Sequence, residues 1–153
     1  MKTIWLIRHG ESAANAGEPT SDSATVPLTA TGRAQAAAIA TAFVAPPDLI
    51  ITSAYLRTVQ TARPTLERFP QAPHEQWPIH EFTYLAAARC QNMTAAERRP
   101  LVAAYWERCD PTYVDGAGCD SFAGMLQRAA AMLEALRRAD GRLIAVFSHG
   151  LFI

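Results

Sequence analysis

The stretch that decides the fold is TIWLIRHGES, residues 3–12. Its first half, Thr3–Ile7, is a short apolar run rich in β-branched and aromatic side chains, which predicts a buried strand. Residues 10–27 are rich in Gly, Ser, Asn, Asp and Pro, a composition typical of a loop. Two later apolar runs, 49–52 and 143–147, predict two more buried strands. A charged segment that carries a histidine thus follows directly on the first predicted strand.

Helices are predicted between these strands, because apolar residues recur there at helical spacing. Two of them cover 29–44 and 121–138. A third begins after a cap at Ser53 and is bent or ended by Pro64. A fourth begins with a capping box at 94–97. Residues 69–78 hold three prolines and are predicted to be loop. Apolar strands that alternate with amphipathic helices favour an α/β fold. We expect a three-layer sandwich, with a largely parallel central sheet and helices on both faces.

The length of 153 residues suits a single domain over 1–153. The chain ends at Ile153, four residues after His149, whereas a strand of this kind is normally followed by a covering helix. The fold that we expect therefore allows for missing C-terminal elements.

Composition narrows the classes of function. The chain has 14 basic and 14 acidic residues, so no overall positive field favours nucleic acid or an anionic membrane surface. No apolar stretch reaches the roughly 18 residues that span a bilayer. The three cysteines have no metal-ligand spacing, which is typical of reduced thiols in a cytoplasmic protein. We expect a cytoplasmic protein that binds neither nucleic acid nor membrane.

The residues that can carry chemistry follow the predicted strands. In an open α/β sheet, ligands bind beyond the carboxyl ends of the strands. Arg8-His9 follows the first strand, Arg57 lies one helical turn after the second, and Ser148-His149-Gly150 follows the third. Two histidines and two arginines without balancing acids make an anion site, and guanidinium groups match phosphate oxygens in pairs.

These motifs resemble the histidine phosphatase superfamily, the phosphoglycerate-mutase-like proteins. The resemblance rests on ordered segments along nearly the whole chain: 6–12 with Asn15, 27–29 with Gly32 and Gln35, 52–53 through Arg57 to Ala62, 80–82, and 148–150. It points to the small bacterial-type phosphatase branch, and it implies the same sandwich fold.

The resemblance also implies a mechanism and its residues. His9 would attack phosphorus and become a phosphohistidine, while Arg8, Arg57 and His149 hold the equatorial oxygens. Glu81 would protonate the leaving oxygen and then deprotonate water. His149 would be cationic with phosphate bound. Further phosphate contacts are expected from Ser12, Asn15 and the backbone of Gly150. No metal and no other cofactor is expected, since the positive charge is built into the pocket.

A segment at about 84–118 is expected to form a lid that sets substrate choice. The substrate would be a small phosphorylated metabolite or a phosphoprotein. The compact stretch between Glu81 and His149 favours a phosphomonoesterase over two alternatives, a phosphoglycerate-type phosphomutase and a non-catalytic phosphate-binding module. His74 and His80 are interpreted as surface or loop residues. Asp120 has two open roles, a helix cap or a substrate contact, and Arg128 has a structural or a substrate role.

Overall fold

The computed structural model describes residues 1–153. Its strands are β1 (Thr3–Arg8), β2 (Leu49–Thr52), β3 (His74–Gln76) and β4 (Leu143–Ser148). Its α-helices are α1 (Ala30–Ala42), α2 (Leu56–Arg68), α3 (Arg99–Glu107) and α4 (Phe122–Arg138), with a 3-10 turn at Ala87–Arg89. None of these helices has the length and apolar character needed to cross a membrane.

The four strands form one sheet in the order β1-β4-β2-β3, and every neighbouring pair is parallel. The register sets Arg8 beside Ser148 and Thr52 beside Phe147. The first residues beyond the ends of β1, β4 and β2 are therefore His9, His149 and Ser53. The sheet thus delivers the predicted site residues to one edge.

Helices cover both faces of the sheet, which confirms the predicted sandwich. On one face, Ile7, Phe43 and Phe147 belong to a buried cluster beneath α1 and α2. On the other, a larger cluster joins the sheet to α4 and to the aromatic residues of the 77–113 region. Its fully buried members include Ile51, Leu136, Ile144 and Val146. Burial of each such side chain contributes about 1.5–3 kcal/mol, so the two clusters fix the sheet that carries the site.

Four local predictions differ from the structure. Strand β1 was predicted to be buried, but it is an edge strand on which Ile7 is the one buried residue. Strand β3 lies inside the predicted loop 69–78. It is an exposed edge strand, so no apolar run announces it. Pro64 does not end α2, which continues to Arg68. Thr61 and Thr65, on either side of the proline, are buried. Ser53 does not cap α2: the N-cap position is Tyr55.

The capping box at 94–97 forms, since the Thr94 N–H donates to Glu97 Oε2 at 2.7 Å and the Glu97 N–H donates to Thr94 Oγ1 at 3.3 Å. The residues of this box form turns, however, and α3 starts at Arg99. The reason is Pro100, which fits the first turn of a helix and favours a start there.

Candidate active site

His9 and His149 meet at the carboxyl ends of β1 and β4. Their ring centroids are 5.3 Å apart, with an angle of 62° between the ring planes. Both side chains are buried, and His149 is completely inaccessible. The predicted pair of histidines therefore forms one unit, built by two neighbouring strands that are about 140 residues apart in sequence.

The His9 ring is fixed in one tautomer. Its Nδ1 lies 2.7 Å from the Gly10 carbonyl oxygen, which only accepts, so Nδ1 carries the proton. The lone pair of the other nitrogen, Nε2, accepts from Arg57 Nε at 3.0 Å. Burial, with the positive charges of Arg57 and Arg8, lowers the pKa of His9 from 6.5 to about 4, against the bond to Gly10, which raises it. His9 is thus neutral at pH 7, with its lone pair on Nε2.

Arg57 is held in the first turn of α2 and is buried. Besides the bond to His9, its Nη1 donates to the Ser23 carbonyl, and its guanidinium lies 5.1 Å from the Tyr55 ring centroid. No carboxylate pairs with it within ion-pair distance. The site therefore contains an uncompensated cation directed at the nitrogen of His9.

Arg8 is exposed and lies against Gly150. A Cβ atom at position 150 would stand 3.2 Å from Arg8 Nε, so glycine gives the arginine its close approach. The charge of Arg8 is felt by both His9 and Arg57, which places it at the same site. It provides a second guanidinium at the open side of the histidine pair.

His149 is oriented by a chain of hydroxyl groups. Its Nε2 lies 2.8 Å from Ser53 Oγ, which is 2.7 Å from Thr58 Oγ1. Thr58 donates to the Tyr55 carbonyl at 2.8 Å, so Ser53 donates to Thr58 and accepts from the Nε2–H of His149. The remaining nitrogen, Nδ1, is buried without a partner.

Burial, with the charge of Arg57, lowers the pKa of His149 from 6.5 to about 2, so the ring is neutral in the free protein. A bound phosphate would add negative charge beside it and raise that pKa. The prediction that His149 is cationic with phosphate bound concerns that complex and stays a prediction.

Glu81 lies beside the two histidines. Its Oε1 accepts from the backbone N–H groups of Phe82 at 3.0 Å and Leu151 at 3.2 Å. One carboxylate oxygen and one nitrogen of each histidine lie within 4.8 Å of one another. These residue types can hold a divalent metal ion. Arg57 and Arg8 would repel such an ion and attract an anion, so the charges favour phosphate.

Ser12 and Asn15, predicted to bind phosphate, are joined to each other. Asn15 Oδ1 accepts from the backbone N–H of Ser12 at 3.1 Å and from its hydroxyl at 2.9 Å. These bonds shape the loop after β1, and a phosphate contact from either residue stays a prediction.

Comparison with known proteins agrees with this geometry. The sequence profile of the histidine phosphatase superfamily (branch 1) matches residues 4–153. The chain belongs to this superfamily.

Three of the similar proteins carry phosphatase names. The adenosylcobalamin/alpha-ribazole phosphatase of Salmonella typhimurium is 29% identical over 151 residues, which are 95% of this chain and 73% of that protein. The alpha-ribazole phosphatase of Shigella flexneri is 28% identical with a TM-score of 0.71, covering 95% of this chain and 73% of that one. An Escherichia coli K-12 protein, proposed to be an alpha-ribazole-5'-P phosphatase, is 28% identical with a TM-score of 0.77, and the match covers 97% of this chain and 74% of that one.

Several residues contribute to the site without having been predicted to do so. Ser53 and Thr58 orient His149, and the Ser23 carbonyl holds Arg57. Thr61 Oγ1 accepts from the Gly10 N–H at 3.1 Å, which ties α2 to the loop after β1. Of these residues, Thr58 and Thr61 lie on α2. Their spacing is the only signal in the sequence, and an ordinary helix also shows it.

Arg128 and Asp120 form an ion pair that contacts the backbone preceding Glu81. Arg128 Nη2 donates to Asp120 Oδ2 at 2.6 Å, and its Nη1 donates to the carbonyls of Pro78 at 2.9 Å and His80 at 3.1 Å. The cap of α4 is Ser121, which accepts from the Gly124 N–H, so Asp120 acts as the ion-pair partner. This pair holds the backbone that leads into Glu81.

His80 is half-buried in the loop before Glu81. Its ring stacks on Tyr55 at 5.6 Å, and its Nε2 lies 3.6 Å from Asp120 Oδ2. Tyr55 in turn meets the His149 ring edge-on at 5.2 Å. His80 is therefore a loop residue, as predicted, although it packs beside the site.

Proposed function

We propose that this chain is a metal-independent phosphomonoesterase that works through a phosphohistidine on His9, with Glu81 as general acid and base. The observation that carries the proposal is the state of His9. Its Nδ1 proton is bonded to the Gly10 carbonyl, so its Nε2 lone pair faces a cluster of arginines. A neutral imidazole with a directed lone pair is a nucleophile, and the arginines attract the phosphoryl group to it.

In the first half of the reaction, His9 Nε2 forms a bond to phosphorus while the ester P–O bond breaks. The carboxylic acid form of Glu81 gives its proton to the leaving alcohol oxygen. In the second half, the Glu81 carboxylate takes a proton from water, whose oxygen attacks phosphorus. The P–N bond then breaks, which releases phosphate and restores His9.

The first step requires that Arg57 release His9. In the free protein, Arg57 Nε donates to the lone pair that must attack. A phosphomonoester shares up to two negative charges among three oxygens, which are stronger acceptors than a neutral imidazole nitrogen, so a bound substrate draws the guanidinium away. Arg57 and Arg8 then stabilise the charge on the equatorial oxygens, and His149 Nδ1 contributes a third donor once it is protonated.

A small phosphorylated molecule is the proposed substrate. Two relatives are named alpha-ribazole phosphatases, so alpha-ribazole phosphate is the first metabolite to assay. The segment 84–118, which contacts neither histidine through a side-chain hydrogen bond, is proposed to act as the lid on the substrate's alcohol portion.

Turnover of 4-nitrophenyl phosphate, measured with EDTA present, tests the proposal. We expect wild type to be active and His9→Ala to be inactive. Activity that survives in His9→Ala, or that EDTA abolishes, would contradict the mechanism. Phosphoryl exchange between positions of a bisphosphorylated acid would indicate the mutase instead. Phosphate binding without any turnover would indicate the non-catalytic module.

A further inference from the structure

A cavity of about 310 Å³ adjoins the candidate active site. Glu81 belongs to both, and Ser23, another residue of the cavity wall, holds Arg57 through its carbonyl. A substrate whose phosphate meets His9 has its ester oxygen next to Glu81. The alcohol portion of that substrate therefore lies at the mouth of this cavity.

The cavity wall is mainly apolar. Seven of its thirteen lining residues are apolar, and they include the rings of Phe82 and Tyr84, whose centroids are 5.1 Å apart. Phe82 is buried among four other aromatic rings, so the partly exposed Tyr84 offers the aromatic surface against which a planar ring can pack. A volume of this size lies at the low end for small-molecule pockets, so it suits one ring system.

The wall is also held open by specific bonds. Arg98 Nη2 donates to the Thr20 carbonyl at 2.9 Å and to the Met93 carbonyl at 2.8 Å. Thr20 and Met93 form an isolated antiparallel bridge, and Ser21 Oγ donates to Asn92 Oδ1 at 2.8 Å. These bonds tie the loop after β1 to the 84–118 segment. A preformed cavity costs little further ordering when a ligand enters.

We propose that this cavity binds the alcohol portion of the substrate and selects phosphomonoesters whose alcohol carries a compact, largely apolar ring. This inference rests on the proposed phosphatase function and gives it a substrate class. A polar metabolite such as a phosphorylated sugar acid leaves the apolar wall unfilled. A phosphoprotein reaches the cavity only through a single side chain.

Two esters that differ by one ring provide the test. Ethyl phosphate and 2-phenylethyl phosphate have alcohols of similar acidity, so the chemistry is matched and the ring is the variable. Burial of on the order of 100 Å² of ring surface predicts a kcat/KM ratio of roughly 10 to 100 in favour of 2-phenylethyl phosphate. A ratio near one in wild type would overturn the inference, as would a phosphoserine peptide hydrolysed as efficiently as the ring ester.

Two adjacent alanines supply matched variants. Both side chains are exposed, but Ala95 lines the cavity and its neighbour Ala96 does not. Ala95→Phe fills part of the cavity, so the ratio is expected to fall towards one, while Ala96→Phe keeps the wild-type ratio. An unchanged ratio in Ala95→Phe, with circular dichroism confirming the fold, would count against the cavity. If wild type hydrolyses neither ester nor 4-nitrophenyl phosphate, the proposed function itself has failed, so the two failures are distinct.

Discussion

Acidification is expected to destabilise the protein through His149. This side chain is completely buried, and its pKa is lowered from 6.5 to about 2 by burial and by the charge of Arg57. The unfolded chain takes up a proton below pH 6.5, and the folded protein does not until near pH 2. His149 therefore adds stability that is complete above pH 6.5 and is lost as the pH falls.

The size of the effect follows from the pH interval. Between pH 6.5 and 4.5 the unfolded chain carries a proton on this residue that the folded protein lacks. Each of these two pH units lowers the free energy of unfolding by about 1.36 kcal/mol. His149 alone should thus lower the free energy of unfolding by roughly 2–3 kcal/mol at pH 4.5 relative to pH 7.5. His149→Gln keeps an amide donor for Ser53 but cannot take up the proton, so this contribution disappears.

Urea unfolding at the two pH values measures the difference. Wild type is expected to lose roughly 2–3 kcal/mol more than His149→Gln on acidification. His74→Gln removes an exposed histidine and serves as the control, with the wild-type loss expected. Equal losses in wild type and His149→Gln would refute the argument that a buried, neutral imidazole stands at this position.

Three substitutions test other parts of the account. Arg57→Lys replaces the guanidinium group, whose nitrogens bind His9 and the Ser23 carbonyl, by a single amine. We expect kcat for 4-nitrophenyl phosphate to fall roughly 100- to 1000-fold. A change below about threefold would contradict the role of Arg57. Glu81→Gln should lower kcat/KM, which reports phosphoryl transfer to His9, by about 100-fold or more for esters of poorly acidic alcohols and much less for 4-nitrophenyl phosphate, whereas equal losses would argue against a general acid. Gly32→Ala would place a Cβ 2.0 Å from the Glu11 carbonyl oxygen, so chemical denaturation should show a loss of about 1–3 kcal/mol, and an unchanged midpoint would contradict this packing.

The architecture was predictable because its signals are local. Apolar runs mark β1, β2 and β4, and helical spacing marks α1 and α4. The site followed from topology, since parallel strands bring their carboxyl ends to one edge and the residues after those strands are fixed by the chain. His9, Arg8, Arg57 and His149 could be grouped on that argument alone.

Other features depend on tertiary contacts that leave no periodic pattern. Strand β3 exists because its backbone pairs with β2, although all three of its side chains are exposed. Ser53 looked like a helix cap, yet its hydroxyl bonds to a histidine 96 residues away. The shape of the cavity arises from the pairing of Thr20 with Met93, which the sequence places in separate loops.

The central claim is that His9 carries the phosphoryl group during turnover. Rapid alkaline quenching of the enzyme with a ³²P-labelled monoester, followed by mass spectrometry, tests this most directly, because phosphohistidine survives in base and is lost in acid. With 4-nitrophenyl phosphate as the labelled ester, an acid-labile label is expected on His9 in wild type and none in His9→Ala. More label is expected in Glu81→Gln, because loss of the general base slows hydrolysis of the phosphohistidine. A label on another residue, or full turnover with no label at all, would contradict the central claim.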